Sequence, residues 1–222
     1  MTDTVQSRID IGFPSVKQEW TESPAYYDEH TLRIAGHPVM EDWELGYMKT
    51  LAGIAGRGND SVLELGYGLG LSAAAVQSWK PRSHVVVECH PDVIAKCLVD
   101  QREAVAASRL HVISGFWQDV VAQLRDESFD GILFDAYPMS ADAVHKNHFE
   151  FFTTARRLLR PGGRFTYYSD EVSKFSAEHL DALRSAGFVD AEIDSLVCEM
   201  QPPKDCEYWT APTMLAPIIT KL

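Results

Sequence analysis

The chain has 222 residues, 45% of them hydrophobic and 23% charged, which suits one α/β domain with short additions and excludes general disorder. A formal net charge of −12, with a sequence pI near 5.0, leaves no broad basic face for a phosphate backbone, so the expected partner is a small cation and not nucleic acid. Cys89, Cys97, Cys198 and Cys206 lack Cys-x-x-Cys spacing and read as reduced thiols, and neither a secretory leader nor a bilayer-length apolar run is visible, so a cytoplasmic protein free of membrane is expected.

Residues 1–38 show no clean period and mix polar residues with Phe13, Trp20, Tyr26 and Tyr27, the pattern of an arm that docks onto something. From 39 to 55 the spacing of Met40, Trp43, Tyr47, Leu51 and Ile54 predicts one face of a helix, stopped by Gly56, Gly58 and Asn59. A regular alternation follows. Strands are expected at 62–65, 85–88, 110–113, 131–135 and 164–168, and helices at 71–79, 91–107, 118–124, 145–159 and 177–186. Pro161-Gly162-Gly163 should break the fourth of these helices, and Gly187 should cap the fifth. The tail holds strand candidates at 191–197 and 206–211, with a last piece at Ile218-Ile219. Strand alternating with helix at this spacing predicts a doubly wound α/β fold, with a seven-stranded, mostly parallel sheet and an N-terminal helical lid. The expected division is an arm and covering helix over 1–58 and a cofactor-binding unit over 59–222.

In such sheets ligands bind beyond the carboxyl ends of the strands. The first of those ends reads Glu64-Leu65-Gly66-Tyr67-Gly68-Leu69-Gly70-Leu71, and its three glycines allow a tight turn beside a ligand. The spacing fits Gly-x-Gly-x-x-Gly only in part. Glu88, followed by Cys89 and His90, closes the second strand about 20 residues on, where a carboxylate accepts from two ribose hydroxyls. Together they point to an adenosine cofactor, either a nicotinamide dinucleotide or S-adenosylmethionine.

Asp135-Ala136-Tyr137-Pro138 and Leu158-Leu159-Arg160-Pro161-Gly162-Gly163 resemble the pattern of class I methyltransferases, which favours S-adenosylmethionine. The likeness then narrows. Thr31-Leu32-Arg33-Ile34, Pro38-Val39-Met40-Glu41-Asp42-Trp43-Glu44 with Tyr47-Met48, Gly131-Ile132-Leu133-Phe134-Asp135, His145, Phe149 and Phe151 are all shared with one family. So are Pro202-Pro203-Lys204-Asp205-Cys206 and Pro217-Ile218-Ile219-Thr220-Lys221. From about Tyr27 to Lys221 the chain resembles the guanidinoacetate N-methyltransferases. The resemblance implies that Trp20, Met40, Met48, the loop from Gly66 to Leu71, the Glu88-Cys89-His90 turn, Trp117, Gln118 and Asp135 enclose S-adenosylmethionine, released as S-adenosylhomocysteine. It also implies that Glu44 and Asp135 are catalytic and hold the guanidino group, with Trp20 beside the substrate.

Two carboxylates suit that chemistry. A guanidinium has a pKa above 12 and must release a proton before a nitrogen can attack. A carboxylate matches its planar fork bidentately, so Asp135 is expected to orient it and accept the proton, with Glu44 as the second clamp. The bland alternative is an exposed Glu44 paired with Lys49 or Arg33, and Asp135 as a strand-end cap. His145 and His148 share helical spacing but lack a third ligand, so no metal is expected. One departure concerns substrate. Where the relatives bind a carboxylate on backbone amides after the fifth strand, this chain carries Asp170 and Glu171, and the following segment is shorter by about ten residues. Two acids repel a carboxylate, so the expected substrate is arginine or an arginine-derived small molecule, with Asp170 and Glu171 contacting it. Guanidinoacetate itself, a protein arginine, a nicotinamide-dependent reductase and a silent binding protein are the alternatives; a homodimer is an open option that the sequence does not decide.

Overall fold

The computed structural model describes residues 12–14 and 16–222; the start of the predicted arm lies outside them. The arm continues as α1 (Lys17–Glu22), followed by an antiparallel sheet of β1 (Ala25–Tyr27), β2 (Thr31–Ile34) and β3 (His37–Glu41). The helix expected from residue 39 therefore starts later. Residues 37–41 pair with β2, Leu32 opposite Met40, a turn at Asp42–Glu44 follows, and α2 spans Leu45–Gly56. The lid is largely a sheet, where a helix was expected. Its β2–β3 turn places Ala35 and Gly36 at φ of 50° and 80°, the left-handed pair of a tight hairpin, without the Asn-Gly signal that advertises one.

The main sheet runs β6-β5-β4-β7-β8-β10-β9, built from β4 (Ser61–Leu65), β5 (Ser83–Glu88), β6 (Leu110–Ser114), β7 (Phe129–Phe134), β8 (Leu159–Tyr167), β9 (Ile193–Glu199) and β10 (Thr213–Thr220). The neighbouring pairs from β6 across to β8 are parallel, and β10 runs antiparallel to both β8 and β9. Helices α3 (Leu71–Ser78), α4 (Pro91–Asp100), α5 (Arg102–Ala106), α6 (Trp117–Val120), α7 (Phe152–Leu158) and α8 (Ala177–Ser185) complete the fold. The doubly wound expectation holds, with four corrections. The 91–107 helix is split at Gln101, whose φ of −101° and ψ of 19° leave the helical region. The 145–159 helix begins only at Phe152, after tight turns. Pro161-Gly162-Gly163 lies inside β8, held by a Gly162 N–H bond to the Lys221 carbonyl at 2.6 Å. Residues 206–211 form no strand; they loop back with Tyr208 and Trp209 buried, and Thr213–Thr220 is the seventh strand.

The sheet positions the site through its order. Strand order reverses between β4 and β7, so Gly66 and Asp135 leave adjacent carboxyl ends, tied by the Asp135 N–H donating to Leu65 at 2.8 Å. A Cβ on Gly66 would run into the Asp135 carbonyl, which makes glycine the fitting residue there. One sheet face packs Phe151, Phe152, Phe165, Tyr167 and Phe188; the other packs Tyr47, Met48 and Leu51 of α2. All four cysteines are free thiols, and no helix among the described residues is long and apolar enough to cross a membrane.

The α2 end sits directly on β7 at Gly131, where a Cβ would overlap the Ala55 carbonyl oxygen. Gly131→Ala should lower stability by at least about 2 kcal/mol, because two backbones must separate to admit one methyl. Urea unfolding checks this; an unchanged midpoint would contradict the contact.

Candidate active site

A deep cavity opens over the carboxyl ends of β5, β4, β7 and β8, and its acids come from separate elements: Glu88 at the end of β5, Asp135 after β7, Asp170 after β8 and Glu44 from the turn before α2. No lysine or arginine lines it among the described residues. Buried carboxylates need other donors. Glu88 finds three backbone amides: Tyr67 at 3.0 Å, Cys89 at 2.7 Å and His90 at 2.9 Å. A carboxylate has about four acceptor positions, so Glu88 is pinned and keeps capacity for a ligand hydroxyl.

Glu44 is 2% exposed, so the bland alternative of a solvated helix residue fails. It and Glu41 exchange side-chain and backbone bonds in a capping box, and Glu44 Oε1 also accepts from Tyr208 Oη at 2.5 Å. Glu41 in turn accepts from Trp43 Nε1 at 2.7 Å. Burial, followed by the Glu44 charge, raises the Tyr208 phenol far above its ordinary range, so it stays a donor to that carboxylate.

The roof is the arm. Trp20, 2% exposed, stacks on Tyr137 with ring centroids 5.1 Å apart, and Tyr137 Oη meets His37 Nδ1 at 3.0 Å. Leu32, Ile34, Val39 and Met40 of the small sheet line the same space. Mooring bonds run from the arm to the turn beyond Glu88: His90 Nε2 to the Ser23 carbonyl at 2.7 Å, and the Ala25 N–H to Asp92 at 3.0 Å. Phe116, Trp117 and Gln118 form the wall after β6.

Of the residues singled out from sequence, Trp20, Met40, Glu44, Gly66, Gly68, Glu88, Cys89, Trp117, Gln118, Asp135 and Asp170 line this cavity. Met48 does not: it is fully buried in the core beneath. Nor do Tyr67, Leu69, Gly70 and Leu71, whose side of the loop faces a second groove near α2 and α3. Tyr67 serves through its backbone N–H, while its hydroxyl reaches Asp100 at 3.2 Å. His90 contributes an amide to Glu88 and turns its ring to the arm. Glu171 also points elsewhere, accepting from Ser176 N–H at 2.8 Å and facing His179 Nδ1 at 3.3 Å. Asp170 itself adopts a left-handed φ of 56°, and the two adjacent acids face different surroundings. Sequence reading gave no site role to Tyr168 or Tyr208, and read His145 as a residue shared with the family and, with His148, as a pair lacking a third metal ligand. Tyrosines in irregular segments carry no periodic signal.

His148 is 3% exposed and stacks on Tyr167 at 4.7 Å; burial, with His179 nearby, lowers its pKa to about 3. Burial likewise lowers His179 to about 4, against the pull of Glu171. Both are neutral in the folded protein, and unfolding frees them to protonate below about 6.5. Stability from these rings is therefore complete above that pH and falls as pH drops toward 4 and 3, at about 1.4 kcal/mol per pH unit for each ring. Unfolding midpoints from pH 7 to 4 check this, and His148→Phe should flatten the slope by one proton.

A family model described as Guanidinoacetate N-methyltransferase matches residues 12–222. Protein arginine N-methyltransferase 2 of Candida glabrata is 30% identical over 141 residues, covering 59% of this chain and 32% of that protein. Its namesake in Saccharomyces cerevisiae is 27% identical with the same shares; the chain thus matches about a third of the length of these curated relatives. Among solved structures, spermidine synthase from Thermotoga maritima superposes with a TM-score of 0.61 at 14% identity, covering 89% of this chain and 72% of that one. An O-methyltransferase from Bacillus cereus, in complex with SAH, gives 0.54 at 16% identity, covering 82% of each. At such identities these two speak for the fold.

Proposed function

We propose that this chain, which belongs to the guanidinoacetate N-methyltransferase family, transfers a methyl group from S-adenosylmethionine to a guanidino nitrogen of a small, arginine-type molecule. The observation that carries this is the pairing of Glu44 and Asp135, from different elements, on one enclosed cavity without a lysine or arginine in its lining among the described residues. The names of the family and of the yeast relatives differ in substrate, yet guanidinoacetate and arginine share the guanidino group.

The residues present fit the donor. Glu88 is held by three amides with acceptor capacity left for a ribose, Gly68 leaves room beside Met40, and Phe116 and Trp117 offer flat apolar walls to an adenine. When bound, S-adenosylmethionine supplies an electrophilic methyl on sulfur and leaves as S-adenosylhomocysteine. Everything else falls to the chain. Asp135, fixed at the β7 end, accepts two guanidinium N–H groups in the bidentate pose and takes the proton that the attacking nitrogen loses. Glu44 clamps the remaining edge of the fork, and Tyr208 keeps its carboxylate from swinging away. Alignment of nitrogen and methyl then supplies several kcal/mol of the barrier reduction. The Trp20 roof excludes water, which strengthens both ionic contacts. It also favours a free small molecule over an arginine on a folded protein, since the arm covers the cavity.

Asp135→Asn and Glu44→Gln should each cut kcat by about 100-fold or more while S-adenosylhomocysteine affinity stays within about tenfold. Mass spectrometry of guanidines incubated with enzyme and donor gives the first quantity, and calorimetry the second. Turnover undiminished in both variants would remove the two acids from the chemistry.

A further inference from the structure

The β8 end of the cavity holds more unmatched polarity than a guanidino clamp explains. Asp170 lines it and meets His145 Nδ1 at 3.1 Å. Both residues keep left-handed backbones, at φ of 56° and 65°, which non-glycine residues avoid unless the surroundings hold them there. Tyr168 lines the same wall, and its hydroxyl is sealed from solvent with no hydrogen-bond partner. His145 Nε2 and His148 Nε2 are likewise buried and unmatched. Buried polar atoms without partners are rare, and several on one cavity wall point to a ligand group that completes them. Burial, then the Glu44 and Asp170 charges, push the Tyr168 phenol well above its usual range, so it remains a neutral hydroxyl between acids. His148 is neutral too, for the reason given above.

We propose that Asp170, Tyr168, His145 and His148 form a second cation subsite, which takes a primary ammonium at the far end of the substrate. The inference rests on the guanidino activity proposed for Glu44 and Asp135, and makes that substrate a dication. The chemistry matches. An ammonium has three N–H donors and no acceptor. Asp170 provides the charged acceptor, the Tyr168 oxygen a second, and a neutral imidazole nitrogen the third. A substrate carboxylate placed there would face Asp170 with no lysine or arginine in the lining among the described residues to offset it. Strand order sets the layout: the donor's ribose belongs at the β5 end with Glu88, the reacting group at β7 with Asp135, and the distal ammonium at β8 with Asp170.

The test uses three guanidines of one chain length, 4-guanidinobutylamine, butylguanidine and 4-guanidinobutanoate, assayed with the full chain and S-adenosylmethionine. The amine should exceed butylguanidine in kcat/KM by about tenfold or more, and the carboxylate should be poorer than both, because a hydrogen bond to a charged group contributes roughly that factor. Asp170→Asn should raise KM for the amine and bring its kcat/KM down to that of butylguanidine. Tyr168→Phe should raise the same KM by a few-fold. Equal use of amine and butylguanidine by the unaltered protein, or preference for the carboxylate, overturns the subsite and leaves the guanidino activity standing. If none of the three is methylated although S-adenosylhomocysteine binds, the guanidino activity falls and the subsite with it.

Discussion

Four carboxylates share one cavity that has no lysine or arginine in its lining among the described residues, and the protein must make that arrangement tolerable. For Glu88 and Glu44 the donors it supplies there include peptide N–H groups and a phenol, which carry no full charge of their own. Glu88 draws on three peptide N–H groups, and Glu44 on one peptide and one phenol. Such donors fix each acid in place without neutralising it, so the cavity keeps a negative field and its acids keep their aim. A lysine or arginine in the same place would have satisfied the acids and removed the attraction for a cationic ligand.

The fold supplies those donors at little cost because the acids stand where chain direction changes. Glu88 and Asp135 end strands, Glu44 closes the turn into α2, and Asp170 follows β8. Peptide N–H groups beside such points can turn to a carboxylate, as those of Tyr67, Cys89 and His90 do to Glu88 and that of Glu41 does to Glu44. The small antiparallel sheet then covers the group from above, where a lone helix would leave gaps. Each element thus does two things: it buries apolar area below, and presents one acid above.

Much of this was legible in the sequence, and unevenly so. The glycine loop, Glu88 and Asp135 stand out because short apolar strands bracket them, which fixes their position in the sheet before any coordinates. Glu44 was identified through family resemblance alone, since its helical period ran on through residues that fold as β3. The β2–β3 hairpin was hidden because Ala35 takes a conformation that its type seldom adopts. Residues 206–211 read as a strand from composition, yet tertiary contacts pull Tyr208 onto Glu44 instead. Asp170 and Glu171 look equivalent in sequence, yet one lines the cavity and the other faces Ser176 and His179, a difference that no pattern of residue types encodes.

The arm's mooring carries a further consequence. Its bonds reach His90, on the turn whose amides grip Glu88, and Asp92, in the first turn of the helix that follows. A ligand bonded to Glu88 therefore sits within a few residues of the points where the roof is tied down, so the seat of the donor and the anchorage of the arm share one stretch of backbone.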